Sequence, residues 1–226
     1  EGVIVCTGWG GRRIIGMSDC LWGLLDGVNE DGLAVSLTFG GRRVFGDGFG
    51  VPLVIRYLLT TCATVGEARA VLERLPFHLA HNLTLLDRSG DVLTAWIAPD
   101  REPVFRRLPV ATNHQGLVEW SEHARVTRTV ERERHILELL NDPAVDAGRF
   151  VESFLQRPLY ASAYSRGFGT LYTAAYFPAE GRVEYRWPGS TWAPRAACPG
   201  TMACPSCWAS SSTPTAAPSR CARARP

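Results

Sequence analysis

Asp26-Gly27-Val28-Asn29-Glu30-Asp31-Gly32-Leu33-Ala34-Val35-Ser36-Leu37-Thr38-Phe39-Gly40-Gly41 reads as a strand, a tight polar turn and a second strand ending in paired glycines. Asn29, Asp31 and Gly32 supply the turn, because Asn and Asp bond their own backbone and Gly accepts positive φ. Leu33, Val35, Leu37 and Phe39 then alternate with smaller or polar residues, the period of a strand with two unlike faces. The glycines at 40 and 41 let the backbone pass close to another segment. A hairpin alone carries no chemistry, so what it serves must come from the rest of the chain.

Upstream, Arg12 to Met17 reads as a strand leading into the apolar run Leu21-Trp22-Gly23-Leu24-Leu25, as expected where both faces are covered. Downstream, Gly40, Gly41, Gly46, Gly48 and Gly50 mark a loop. Val51 to Leu59 is apolar nearly all round, with Pro52 in a first helical turn. Thr64 and Glu67 form a capping-box pair, and Ala68, Val71, Leu72 and Leu75 define one helical face before Pro76. Strands are expected at 82–86 and 92–97 across the turn Asp87-Arg88-Ser89-Gly90-Asp91, with shorter ones at 104–108 and 110–112. One long helix is expected over 121–140, its charged side (Arg125, Arg128, Glu131, Arg132, Glu133, Arg134) facing solvent. A shorter helix at 147–156 and a hairpin of 169–177 with 182–187 complete the pattern. Antiparallel strands with grouped helices give an α+β fold.

At 226 residues, 46% hydrophobic and 20% charged, the chain suits one well-buried globular domain. A net charge of +2 gives no reason to expect a nucleic-acid or membrane partner. No apolar run reaches the roughly 18–20 residues of a membrane span, and Glu1-Gly2-Val3 has no basic leader character. Cys6, Cys20 and Cys62 are scattered, as reduced thiols of a cytoplasmic protein would be. Residues 193–226 lack large apolar residues and periodicity and read as a disordered low-complexity tail; the composition also fits a coding sequence read out of frame. Cys204-Pro205-Ser206-Cys207 has a zinc-knuckle spacing but no second pair, so no metal is expected. Phosphate-binding, dinucleotide-binding and nucleophile-elbow motifs are absent, so no cofactor is expected either.

Asn113, in Thr112-Asn113-His114-Gln115 at a strand end, can aim its side-chain NH₂ into a cleft and stabilise a developing oxyanion. Read alone it is more often a turn Asn that bonds its own backbone, and a lone His such as His114, a candidate base, is more often structural. Asn82-Leu83-Thr84 has the form of a glycosylation site, discounted because it falls in a strand.

Gly27-Val28-Asn29-Glu30-Asp31-Gly32-Leu33-Ala34-Val35-Ser36-Leu37, then Ala111-Thr112-Asn113-His114, then Gly169-Thr170-Leu171-Tyr172-Thr173-Ala174-Ala175-Tyr176 occur in that order. Together, over about 12–192, they resemble the cysteine-nucleophile Ntn hydrolases of the acyl-coenzyme A:6-aminopenicillanic acid acyltransferase-like (isopenicillin N acyltransferase-like) type, with choloylglycine hydrolases and acid ceramidase-type amidases as more distant kin. The resemblance implies a four-layer α-β-β-α sandwich of two antiparallel sheets over 1–192 and cleavage or transfer at linear amide bonds of a small acyl or amide substrate. An N-terminal cysteine would attack, its own α-amine serving as base. Carried onto this chain, the resemblance makes Asn113 the side-chain oxyanion donor. It places a backbone donor at or beside Thr38, where choloylglycine hydrolases often carry Asn, and makes Arg128 in Thr127-Arg128 the arginine that orders the site. Cys6-Thr7 has the dipeptide look of the nucleophile, but no Arg-Asn-x-Asp segment separates it from Asn29. The expectation is therefore that the nucleophile and the first strands lie upstream of Glu1. A non-catalytic binder of small amides on the same fold and an inactive gene fragment stay open as alternatives.

Overall fold

The computed structural model describes residues 3–7, 11–19 and 22–193, with the backbone alone for 3–7 and for Arg166. The chain divides into two units, Glu1–Ala196 and Ala197–Pro226. The second unit, with the Cys204/Cys207 pair, and Cys20 lie outside the described residues.

Seven strands form one antiparallel meander: β1 (Val3–Thr7), β2 (Ile14–Asp19), β3 (Gly23–Asn29), β4 (Ala34–Phe39), β5 (His81–Leu86), β6 (Val92–Ala98) and β7 (Arg101–Arg106), side by side in chain order. The β3–β4 turn forms as its residues dictate. Gly32 takes φ +90°, and buried Asn29 accepts from Leu33 N while donating to the carbonyls of Leu59 and Cys62. Asn29 thus closes the hairpin and pins it to the end of the first helix.

That helix, α1 (Val51–Thr61), and α2 (Val65–Leu72) cover one face of the sheet. Thr64 caps α2 by accepting from Glu67 N, and the Glu67 carboxylate reaches Ala63 N, so the capping pair works one residue out of register on one side. Val54, Ile55, Leu58, Leu59, Ala68 and Leu72 meet Leu33, Val35, Leu83, Leu85, Ala95 and Ile97 in the main core. Each such Leu or Ile contributes roughly 1.5–3 kcal/mol by leaving water.

On the other face lies a second, three-stranded sheet of β10 (Thr173–Phe177), β11 (Arg182–Trp187) and β12 (Ser190–Trp192). Its Val183 and Tyr185 pack on Ile15, Met17, Val28 and Ala34. The far side of this small sheet meets α5 (Ala147–Ser153) and the residue after it: Glu152 faces Arg186, and Thr173 Oγ1 donates to Phe154 O. The order is therefore helix, sheet, sheet, helix. Between β10 and α5 lies a short pair of two-residue strands, β8 (Ser162–Ala163) and β9 (Phe168–Gly169).

Three expectations need correction. Residues 110–112 make no strand; Pro109 has no N–H for a ladder, and the carbonyl of Thr112 is taken by side chains instead. The helix expected over 121–140 is two, α3 (Ser121–Thr127) and α4 (Thr129–Asn141), broken where Arg128 adopts the left-handed conformation with φ +53°. The break re-phases α4, so Arg132 and Glu133 face inward rather than toward solvent.

Candidate active site

The face of the large sheet opposite α1 and α2 is polar over its central strands. Thr38 on β4 stands directly across from Asn82 on β5, and both point to this inner face. Residues 108–116 run over it: Thr94 Oγ1 donates to Leu108 O, Thr38 Oγ1 to Thr112 O (2.9 Å), and Gln115 Nε2 to the carbonyls of His81 and Ile97. Asn82 is fully buried and does most of the holding. Its Nδ2 reaches Thr112 O (2.7 Å), His114 O (3.0 Å) and Thr38 Oγ1 (3.1 Å). One amide thus clamps the carbonyls on either side of Asn113.

Gly41 presses the same segment from the β4 end. It takes φ +69°, and a Cβ there would lie 2.3 Å from Asn113 O, so backbone meets backbone with no room for a side chain.

Helix α4 closes over the segment. Arg132 Nη1 donates to Asn113 Oδ1 (3.0 Å). A guanidinium only donates, so the atom facing it is the carbonyl oxygen, and the NH₂ of Asn113 points elsewhere. That NH₂ has no partner among the described residues. His114 is buried beside it, Nδ1 among the hydroxyls of Thr112 and Thr129 (3.2 and 2.9 Å) and Nε2 3.3 Å from the Glu133 carboxylate. Arg132 has no carboxylate partner among the described residues, and its Nε is buried unpaired. Burial alone pushes its pKa down. Arg42, gripping Asp100 with both terminal nitrogens and facing Glu119, is pushed up by those partners and anchors the loop after Gly41.

The expected site residues are distributed as follows. Thr38 and Asn113 come together through Thr112 O and Asn82. Arg128 does not touch them; its guanidinium pairs with Glu131 at the surface, and the arginine on Asn113 is Arg132, one turn further on. Cys6 is the fourth residue of β1, its Cα opposite that of Ile15. Two groups escape the sequence reading. Asn82 reads there only as the start of a discounted glycosylation site in a strand. Arg132 is masked by its charged neighbours.

Residues 2–192 match the family model described as acyl-coenzyme A:6-aminopenicillanic acid acyl-transferase. The chain belongs to this family. Its fold is that of Ntn hydrolases: it superposes on penicillin V acylase from Agrobacterium tumefaciens with a TM-score of 0.58 at 20% identity, covering 77% of this chain and 66% of that one. The chain thus spans just under two thirds of the acylase. It is also similar to a Caenorhabditis elegans N-acylethanolamine-hydrolyzing acid amidase ortholog (17% identity, TM-score 0.49, 86% and 87% covered). A conjugated bile acid hydrolase from Clostridium perfringens is a third neighbour (11% identity, TM-score 0.47, 81% and 77% covered). No curated protein matches. Within the acyl-transferase family's fold, no helix among the described residues is long and apolar enough to cross a membrane. No cluster of His, Cys, Asp or Glu among them could hold a metal.

Proposed function

We propose that this chain carries the oxyanion side of an Ntn-type amide hydrolase or acyltransferase acting on linear amide bonds of small acylated substrates. The observation that carries this reading is the Arg132–Asn113 bond. It fixes the amide so that its NH₂ is free for an incoming oxygen. A donor held in place before reaction stabilises developing charge without reorganising. Clamped by Asn82 and Thr38, the segment is rigid enough for that task. Asn113 is the donor, Arg132 positions it, and the backbone at Thr38 is the second candidate donor. Attack on the amide carbon would form a tetrahedral oxyanion at Asn113; collapse would expel the amine and leave an acyl-enzyme for water or a second amine.

Cys6 is the nucleophile candidate within the chain. Cys6 is bonded to Val5 here, so the free α-amine that the mechanism uses as base would come from removal of residues 1–5. The lack of an Arg-Asn-x-Asp segment between Cys6 and Asn29 favours a second reading, a chain that binds acyl-amides without turning them over. Incubation with a chromogenic N-acyl p-nitroanilide separates the two. Release of nitroaniline that Asn113→Ala lowers at least tenfold and Cys6→Ala abolishes supports the enzyme with Cys6 as nucleophile. Saturable binding with no release supports the second reading. Neither binding nor release ends both.

A further inference from the structure

Asp26 is a buried carboxyl that the proposed chemistry does not use. It sits on β3 facing the small sheet, in an otherwise apolar layer of Ile15, Met17, Val28, Ala34 and Val183. Tyr172 OH donates to one of its oxygens (2.5 Å) and Tyr176 OH to the other. Both tyrosines come from one short stretch, Tyr172 just before β10 and Tyr176 within it, with Ala174 between them leaving room for the carboxyl. Tyr185 of β11 touches the ring of Tyr172 and the hydroxyl of Tyr176, and the backbone at Met17 bonds Asp26 from β2. Burial raises the carboxyl's pKa, and burial first, then the carboxyl's negative field, raises those of both phenols.

The position of this cluster matters. Directly across from Asp26 on β4 is Ser36, and across from Ser36 on β5 is Thr84. Ala34, two residues earlier on β4, is sealed beneath the small sheet, yet Ser36 is exposed although β4 is a central strand. Cover on the inner face therefore stops between Asp26 and Ser36. Thr38, tied to the Asn113 segment, lies two residues further, about 7 Å along β4. On the inner face Ser36 is thus left uncovered between Asp26, held by the two tyrosines, and Thr38, tied to the Asn113 segment.

We propose that Asp26 is a positioning residue: by gripping Tyr172 and Tyr176 it fixes how closely β10 seats on the large sheet, and so sets how far Ser36 is uncovered. A non-directional apolar contact would let the small sheet slide; two hydrogen bonds to one carboxyl fix its height and register. Since it treats the uncovered stretch at Ser36 as the way to Asn113, the proposal rests on the function proposed above, but its first readout does not.

The test uses the full chain carrying Ser36→Cys, with maleimide labelling at position 36 resolved by peptide mass analysis. Asp26→Asn and the pair Tyr172→Phe with Tyr176→Phe are added in turn, after circular dichroism shows that each folds. Labelling at position 36 rises fivefold or more in both backgrounds at pH 7, while labelling at an exposed control thiol introduced at Ser89 stays constant. Equal labelling in all backgrounds overturns the proposal. Binding of the neutral probe N-hexanoylglycinamide then weakens as Ser36 is uncovered further. Altered labelling with unchanged probe affinity overturns the link to ligand entry. Absence of probe binding to the parent chain counts against the proposed function, and labelling alone then decides the role of Asp26.

Discussion

The two faces of the seven-stranded sheet are made of alternate residues of the same strands, yet they are held by different forces. The outer face is Leu33, Val35, Leu83, Leu85, Ala95 and Ile97 against two helices, with no polar side chain among them. The inner face over the central strands is Thr38, Asn82 and Thr94, each bonded to a carbonyl of the 108–116 segment. Apolar burial is tolerant of direction, whereas a hydrogen bond fixes position to a fraction of an ångström. The outer face therefore supplies stability, and the inner face supplies placement of Asn113.

Breaking the outer face should have the largest effect. Leu58→Ala empties fully buried space and is expected to lower stability by about 4 kcal/mol in urea titration, with Asn113 still placed to bind a probe. On the inner face, Asn82→Leu is nearly the same size but strands the carbonyl of His114 and leaves that of Thr112 with Thr38 Oγ1 alone. A loss of about 3 kcal/mol is expected, together with loss of probe binding. A variant that is as stable as the parent would show the inner face to be only another core. Gly41→Ala forces a Cβ against Asn113 O in a left-handed conformation; about 2 kcal/mol should be lost, with probe affinity falling more than stability predicts.

The Asp26 carboxyl tests the boundary between the faces through pH. Its pKa is raised in the folded chain above an unfolded value near ~4, so the folded state holds that proton more tightly. The stability this contributes is complete below the unfolded pKa and is lost as pH climbs through the raised value. The melting temperature of the parent minus that of Asp26→Asn should accordingly fall as pH rises across that window. The smallest effect belongs to Arg128→Gly. It relieves a left-handed non-glycine residue and removes only an exposed pair with Glu131, so stability should change by no more than about 1 kcal/mol, upward, in thermal melts.

How much of this was legible differs by face for a physical reason. The alternation of Leu33, Val35 and Leu37 and the apolar helix at 51–59 are local patterns, and both elements form where the pattern puts them. The hairpin of 169–177 with 182–187 also forms, with β10 starting at Thr173 and the third strand β12 added after Gly189. The 110–112 strand and the unbroken 121–140 helix fail because tertiary partners override propensity there. Side-chain donors claim the strand's carbonyl, and Arg128 bends the helix so that Thr129 reaches Thr112 and Arg132 reaches Asn113. Thr38 and Asn113 were nameable from motif resemblance. Their shared partner Asn82 was not, because what makes it important is two carbonyls some thirty residues away.

By itself, the sequence determined the α+β class, the hairpin at 26–41, the helices that cover the outer face and the family, since these follow from local periodicity, turn chemistry and ordered motifs. Only the tertiary structure decided which arginine holds Asn113, which asparagine clamps it, and that Asp26 joins the two sheets. Those are contacts between residues far apart in the chain, selected by hydrogen-bond satisfaction in a buried layer, and no local pattern encodes them.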